Sequence, residues 1–181
     1  RLIVAGRSKD IIFVGGQNFY SHDIERVAES VEGVELGKIA AVGVFNEAKH
    51  SDELVLFVLF KQKTELFIPL VEKLKEIISL SFGIEAQEVI PVKHIPKTTS
   101  GKFQRYKLRE AMEAGEFDAV KKEIHELMVQ KYNNRVIDMP QNDVENELVK
   151  IWSEVLNIEV VGTRDDFFEI GGDSLKAGQL I

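Results

Sequence analysis

The residues with the clearest potential for chemistry lie between Lys93 and Arg109, where six Lys or Arg occur with no Asp or Glu among them. Because the whole chain has a formal net charge of −7, this local reversal of sign indicates a nearby anion. Thr98-Thr99-Ser100-Gly101 is typical of a tight turn, so we expect Lys102 to lie at an exposed loop tip. A lysine there is a mobile charge with three donors, which suits phosphate oxygens and a carboxylate.

Three kinds of loop are compatible with this pattern. The first is a solvated basic surface with no chemistry. The second is a phosphate-binding Walker loop, which requires Gly five residues before Gly101 and Ser or Thr after the lysine. Pro96 and Phe103 occupy those positions, so this possibility is excluded. The third is a loop that carries Lys102 into the active site of another domain.

Residues 96–105, Pro-Lys-Thr-x-x-Gly-Lys-x-x-Arg, resemble the last core motif of the adenylate-forming superfamily. That superfamily comprises acyl-CoA synthetases, fatty-acyl-AMP ligases and the adenylation domains of nonribosomal peptide synthetases. The resemblance implies that Lys102 is the catalytic lysine, which contacts the carboxylate and the α-phosphate during acyl-adenylate formation. It also implies ATP as a substrate and Mg²⁺, which we expect to be bound mainly by an N-terminal lobe.

A second set of motifs lies near the N-terminus: Gly-Arg-x-Lys-Asp, then Gly-x-Asn-x-Tyr, then Asp-Ile-Glu. Taken alone, a glycine pair between a strand and a helix requires no chemistry. The set is similar to the hinge motif of the same superfamily, and closest to its fatty-acyl-AMP ligase branch. This resemblance implies that the lobe rotates about Lys9, that Arg7 contacts the nucleotide and that Gly16 lies in the loop that admits a pantetheine arm.

A third motif, residues 165–175, is Asp-x-Phe-Phe-x-x-Gly-Gly-Asp-Ser-Leu. Ser174 falls at a predicted helix start, where the simplest role of a serine is an N-cap. A hydrolase nucleophile is excluded, because Lys176 stands where Gly-x-Ser-x-Gly needs glycine. The motif resembles the signature of acyl and peptidyl carrier domains, which implies 4′-phosphopantetheine bound covalently to Ser174 by a separate phosphopantetheinyl transferase.

The surrounding pattern predicts the elements that position these motifs. Apolar runs at 11–14, 39–45, 53–60 and 89–95 indicate strands, and 3.6-residue periods indicate helices between them. We predict a loop at 15–18, an N-cap at Ser21 and a helix end near Gly33. The predicted fold class is therefore α+β: a small mixed-sheet lobe with packed helices over residues 1–115.

A helical connector and linker is predicted at 116–141, followed at 142–181 by the N-terminal part of an all-α carrier bundle. The predicted first carrier helix has an apolar stripe that includes Trp152. This bundle is expected to be incomplete and poorly packed alone, and the chain to be an interior piece of a longer polypeptide. Residues 141–181 hold nine acidic and three basic side chains. We expect this negative charge to determine which partner proteins the segment recognises.

Composition excludes several classes of protein. The chain has no cysteine, so disulfides and thiolate metal sites are absent, and its four histidines lack ligand-like spacing, so no metal site is predicted. The sequence pI near 5.2 argues against a nucleic-acid partner. No apolar run approaches the roughly 20 residues needed to span a bilayer, and no signal peptide is visible, so we expect no membrane partner and a cytoplasmic location.

Together these patterns predict part of a multidomain synthetase that activates a carboxylic acid as acyl-AMP and transfers it to the phosphopantetheine thiol of its carrier domain. The implied partners are an upstream adenylation N-terminal lobe in the same polypeptide, a phosphopantetheinyl transferase and a downstream condensation or ketosynthase domain. Two alternatives remain open. One is an amino-acid-activating adenylation domain of a nonribosomal peptide synthetase, and the other is a non-enzymatic carrier and docking module.

Overall fold

The computed structural model describes residues 11–134, 137–158, 160–167, 170, 172 and 174–178. The chain divides into two compact units, Arg1–His125 and Glu126–Ile181. No helix in the described ranges is long and apolar enough to cross a membrane.

The first unit begins with a β-hairpin formed by β1 (Ile11–Val14) and β2 (Gln17–Tyr20). Gly15 and Gly16 make the turn with φ of 56° and 83°, as a two-residue type I′ turn requires. The predicted strand at 11–14 is confirmed. The predicted loop at 15–18 is too long, because two glycines suffice to reverse the chain and the next residues then pair as β2.

Helix α1 follows directly as Ser21–Ala28. The predicted N-cap at Ser21 is wrong: Tyr20 precedes the helix without a side-chain cap, and Ser21 lies inside the first turn with 1% of its surface exposed. The helix also ends earlier than Gly33, although Val31 beyond it is still buried.

The central sheet has the order β3-β4-β5, formed by β3 (Ile39–Asn46), β4 (Ser51–Leu59) and β5 (Ala86–Val92). Strands β3 and β4 are antiparallel, whereas β4 and β5 are parallel, so the sheet is mixed as predicted. The continuous apolar run of β4 is explained by its central position, where both faces are covered. Strand β5 lies at an edge, which tolerates Pro91.

Four further segments complete this part of the chain. A 3₁₀ turn (Thr64–Leu66) leads into α2 (Ile68–Phe82). This helix has Pro69 in its first turn and ends at Gly83, whose φ lies in the left-handed region. Helices α3 (Arg105–Glu113) and α4 (Asp118–Asn133) come after β5. One face of the sheet packs against the apolar side of α3 and the residues that follow it, including Leu108, Phe117 and Val120.

The second unit contains α5 (Asp143–Leu156) and the short α6 (Ser174–Ala177). Asn142 caps α5, because its Oδ1 accepts a hydrogen bond from Glu145 N at 2.9 Å. A small core of Leu156, Val161, Phe167 and Ile170 packs with Trp152, whose ring centroid lies 5.1 Å from that of Phe167. The rest of the α5 stripe is exposed, namely Val144, Leu148 and Ile151. The predicted fold class, an α+β lobe followed by helices, is confirmed.

Candidate functional site

The loop that carries Lys102 is a short closed hairpin. Lys97 and Phe103 form an antiparallel bridge at its base. Inside the bridge, Thr98 N donates to Lys102 O at 2.8 Å, and Lys102 N donates to Thr98 Oγ1 at 3.1 Å. Gly101 has a φ of 81°, which favours glycine at the tip. The backbone of Lys102 is therefore fixed by Thr98.

The side chain of Lys102 is exposed, as the sequence predicts, and it makes no hydrogen bond or ion pair with any residue that the structure describes. Its ammonium group is thus available to an external anion. The catalytic role of Lys102 stays a prediction.

Two other cations of the same segment bind backbone carbonyls beside β3. Lys97 Nζ donates to Gly37 O at 3.0 Å and lies 4.7 Å from the centroid of the Phe103 ring. Arg109 Nε donates to Gly43 O at 2.7 Å. These side chains hold the start of α3 and the base of the Lys102 hairpin against one strand.

Arg105 forms a buried ion pair with Glu25 of α1. Its Nη2 donates to both carboxylate oxygens, at 2.8 Å and 2.7 Å, and its Nε donates to Glu25 Oε1 at 3.1 Å. The same Oε1 accepts from Ala41 N at 2.9 Å. Burial raises the pKa of the Glu25 carboxyl, and the positive charge of Arg105 opposes that rise.

These contacts account for three of the six basic residues of this segment without an external anion. Strand β3 is at the edge of its sheet. Three side chains bind the backbone along or just before it: Lys97 at Gly37, Glu25 (paired with Arg105) at Ala41, and Arg109 at Gly43. Alternate residues of a strand point to the same edge, so these groups cover an edge that would otherwise be unpaired. The expectation that the whole basic run faces an anion is therefore wrong for three of its cations.

The sequence did not predict the Glu25–Arg105 pair, since its members are 80 residues apart. One signal was present: Ser21, Glu25 and Ala28 recur at helical spacing, and all three are buried. A carboxylate on a buried helix face needs a partner, although the spacing alone cannot identify it.

Gly16 lies at the other end of the sheet from the Lys102 hairpin. Gly15 N donates to Ser51 Oγ at 3.2 Å, and Ser51 is opposite Asn46, the last residue of β3. Gly37, which contacts Lys97, precedes the first residue of β3 by two positions. The eight residues of β3 correspond to about 25 Å of extended chain, so the two candidate loops are far apart. Lys9 and Arg7 lie outside the described residues.

Ser174 is the first residue of α6, and its side chain is not among those described. The turn before it is tightly packed: Gly172 N donates to Phe167 O at 2.7 Å. A Cβ added to Gly172 would overlap both the ring and the carbonyl oxygen of Phe167. Through Trp152 and Phe167, helix α5 therefore fixes the turn that precedes Ser174.

The described residues contain no group of three or more His, Asp or Glu side chains placed to hold a metal ion. Within the part of the chain that is described, the groups suited to chemistry are thus the Lys102 ammonium, the glycine hairpin and the position of Ser174.

An α+β lobe with a projecting lysine hairpin, followed by helices with a serine at a helix start, is the architecture of an adenylation C-terminal subdomain joined to a carrier domain. Comparisons with known proteins agree. Residues 146–181 match the family model described as the phosphopantetheine attachment site. Gramicidin S synthase 2 of Brevibacillus brevis is 30% identical over 176 residues, which cover 97% of this chain and 4% of that protein.

Two solved structures are similar as well. The structure of McyG A-PCP complexed with phenylalanyl-adenylate is 34% identical with a TM-score of 0.82, over 97% of this chain and 28% of that one. A multidomain structure of a keto acid-selecting nonribosomal peptide synthetase module is 37% identical with a TM-score of 0.61, over 67% of this chain and 10% of that one. Over nearly its whole length the chain thus matches the C-terminal subdomain of an adenylation domain followed by a phosphopantetheine carrier domain. Its relatives are nonribosomal peptide synthetases, and the chain spans only a small part of their length.

Proposed function

We propose that this chain is part of a multidomain synthetase that uses ATP to activate a carboxylic acid as acyl-AMP and then transfers the acyl group to its own carrier domain. Residues 1–115 would be the moving lobe, 116–141 the connector and 142–181 the carrier part. The division of the chain after His125 falls inside that connector. The observation that carries the proposal is the contrast among the three cations of one motif. Lys97 and Arg105 bind the protein, whereas Lys102 projects without a partner among the described residues.

In the first half-reaction, Lys102 acts by electrostatic stabilisation rather than by proton transfer. Its ammonium group is placed where negative charge develops on the carboxylate and the α-phosphate. Thr98 fixes the backbone of Lys102, and the contacts of Lys97 and Arg105 hold the hairpin base, so the side chain is the part that moves. Mg²⁺ and the main nucleotide contacts belong to the N-terminal lobe, with Arg7 as the contribution of this chain.

In the second half-reaction, the glycine hairpin replaces Lys102 at the reaction centre. Because the two loops lie at opposite ends of a strand about 25 Å long, they cannot occupy one site together. We propose that the lobe turns about Lys9 between the two steps. The turn withdraws Lys102 and brings the loop at Gly16 beside the path of the incoming arm.

Ser174 provides the attachment point for 4′-phosphopantetheine. Its position suits this role, because Ser174 begins α6 two residues after the closely packed Gly172. When attached, phosphopantetheine supplies the thiol that accepts the acyl group, which the side chains of this cysteine-free sequence do not contain. The partners are the N-terminal lobe, a phosphopantetheinyl transferase and a condensation or ketosynthase domain that takes up the acyl group.

Two classes of carboxylic acid are candidates for the substrate that is activated. The motif containing Lys9 favours a fatty acid, whereas similarity to gramicidin S synthase 2 and to a structure complexed with phenylalanyl-adenylate favours an amino acid. We therefore propose amino-acid activation as the second candidate function.

The test is ATP–pyrophosphate exchange by the full-length protein with dodecanoic acid, L-phenylalanine and phenylpyruvic acid. Exchange with dodecanoic acid supports fatty-acid activation, and exchange with L-phenylalanine supports the second candidate. If no acid in a broad panel supports exchange, while a transferase still modifies Ser174, the chain belongs to a carrier and docking module and the enzymatic proposal is wrong.

A further inference from the structure

The tip of the β1–β2 hairpin has no packing partner among the described residues. Apart from each glycine's own chain neighbours, no described atom lies within 4 Å of a Cβ built on Gly15 or Gly16. A two-stranded hairpin is also only marginally stable by itself. Another part of the molecule must therefore fix the hairpin if its position matters.

Ser51 and Asp52, the first two residues of β4, provide that support. Phe13 N donates to Asp52 Oδ2 at 2.9 Å, and Ser51 Oγ donates to Phe13 O at 3.0 Å. Ser51 Oγ also accepts from Gly15 N at 3.2 Å. One hydroxyl can make both bonds, since it has one donor and two acceptor positions.

These bonds take the place of strand pairing on the side of β1 away from β2, where no described strand pairs with it. In the β1–β2 register Phe13 is opposite Asn18, and the backbone N–H and C=O of Phe13 are bound by Asp52 and Ser51 instead. Two side chains of the central strand thus bind the edge of β1 that pairs with no described strand, as a neighbouring strand would. They join the glycine turn to the central strand of the sheet.

We propose that Ser51 and Asp52 are positioning residues for the second half-reaction. They hold the Gly15–Gly16 turn at the place where the arm approaches, and they take no part in adenylate formation. This inference rests on the proposed function, and it adds a specific claim: loss of either side chain slows carrier loading and spares pyrophosphate exchange.

The experiment compares Ser51→Ala and Asp52→Ala with wild type in the full-length protein, using whichever of L-phenylalanine, dodecanoic acid or phenylpyruvic acid supports exchange. We expect carrier loading, measured by intact mass, to fall by about tenfold or more, with pyrophosphate exchange within about twofold of wild type, because a displaced loop misaligns reacting groups. Ser51→Thr keeps the hydroxyl and Asp52→Asn keeps an acceptor oxygen, so both should load the carrier at close to the wild-type rate. Glu53→Gln, which changes the next side chain of β4, is the matched control.

Hydrogen exchange gives a readout that does not depend on catalysis. The Gly15 amide should lose protection in Ser51→Ala, and the Phe13 amide in Asp52→Ala. If these amides exchange faster while loading is unchanged, the positioning role is wrong and the proposed function stands. Equal loss of both half-reactions shows a merely structural role and also overturns the inference. A wild-type protein that neither exchanges pyrophosphate nor loads its carrier overturns the proposed function, and this inference with it.

Discussion

Lys102 and its neighbours show how one motif divides structural and chemical roles among residues of the same charge. Lys97 and Arg105 contact groups of the protein, and Lys102 contacts none of the described residues. A surface ion pair would add little to stability, whereas a free ammonium on a fixed backbone can meet a substrate anion. The sequence predicted the exposure of Lys102 from the turn residues around it. It did not predict that the flanking cations are structural.

Ser174 is the residue on which the proposed carrier role depends. We predict that Ser174→Ala abolishes the mass gain that a phosphopantetheinyl transferase produces with coenzyme A, because the attacking hydroxyl is lost. Ser153 in α5 is the other serine of residues 142–181, so Ser153→Ala is the control and should still gain mass. A mass gain that persists in Ser174→Ala would remove the carrier assignment of this residue.

Gly172 is required for a steric reason. Its Cα lies so close to Phe167 that an added Cβ would overlap the ring and the carbonyl oxygen. We predict that Gly172→Ala costs about 1–3 kcal/mol of unfolding free energy, as overpacking does, and slows modification of Ser174. Gly162→Ala is the control, since its Cβ would come no closer than 3.3 Å to Asp138 N. Equal stability of the two variants in urea unfolding would contradict this explanation.

At the scale of elements, the ion pair between Glu25 and Arg105 joins α1 to the start of α3. The side chains are only 9% and 15% exposed, so removal of one partner leaves a buried charge. We predict that Arg105→Ala lowers the unfolding free energy by about 3–5 kcal/mol in urea titrations. Lys107→Ala replaces an exposed cation of the same helix and should change it by less than about 0.5 kcal/mol. Similar losses of unfolding free energy in both variants would show that the ion pair does not contribute the predicted stability.

The pKa of Glu25 also predicts a dependence of stability on pH. Burial raises this pKa above its ordinary value of 4.5, so the folded state favours the protonated carboxyl more than the unfolded state does. The stability that Glu25 contributes is therefore complete below pH 4.5 and is lost as the pH rises through the raised pKa. The difference in unfolding free energy between wild type and Glu25→Gln should accordingly decrease with rising pH. An increase over the same range would show that the charge of Arg105 lowers the pKa of Glu25 by more than burial raises it.

Periodicity predicted most elements, and its failures have physical causes. The long apolar runs of β3, β4 and α2 are buried on extended surfaces, so their patterns are clear in the sequence. Strand β2 was missed because it is short and begins with the polar Gln17 and Asn18. The predicted cap at Ser21 failed because tertiary packing buries that residue. The bonds of Ser51 and Asp52 to β1 span more than 35 residues, which no local pattern encodes.

At the scale of the whole molecule, the position of two loops at opposite ends of one sheet fits the two successive reactions of the proposed function. The Lys102 hairpin is fixed near the beginning of β3, and the glycine hairpin is fixed beside its end. A rigid sheet between them means that presenting one loop withdraws the other. The sequence supplied both motifs and the order of elements, but the distance between the loops follows only from the strand register.

The central claim is that Lys102 serves adenylate formation and not transfer to the carrier. The most direct measurement is the rate of each half-reaction in Lys102→Ala and wild type of the full-length protein. Pyrophosphate exchange measures the first half-reaction, and carrier loading from supplied acyl-AMP measures the second. We predict that exchange falls by about a hundredfold or more while loading from acyl-AMP stays near the wild-type rate, as expected when one preorganised charge is removed. Equal loss in both half-reactions, or exchange at the wild-type rate, would contradict the proposed role of Lys102.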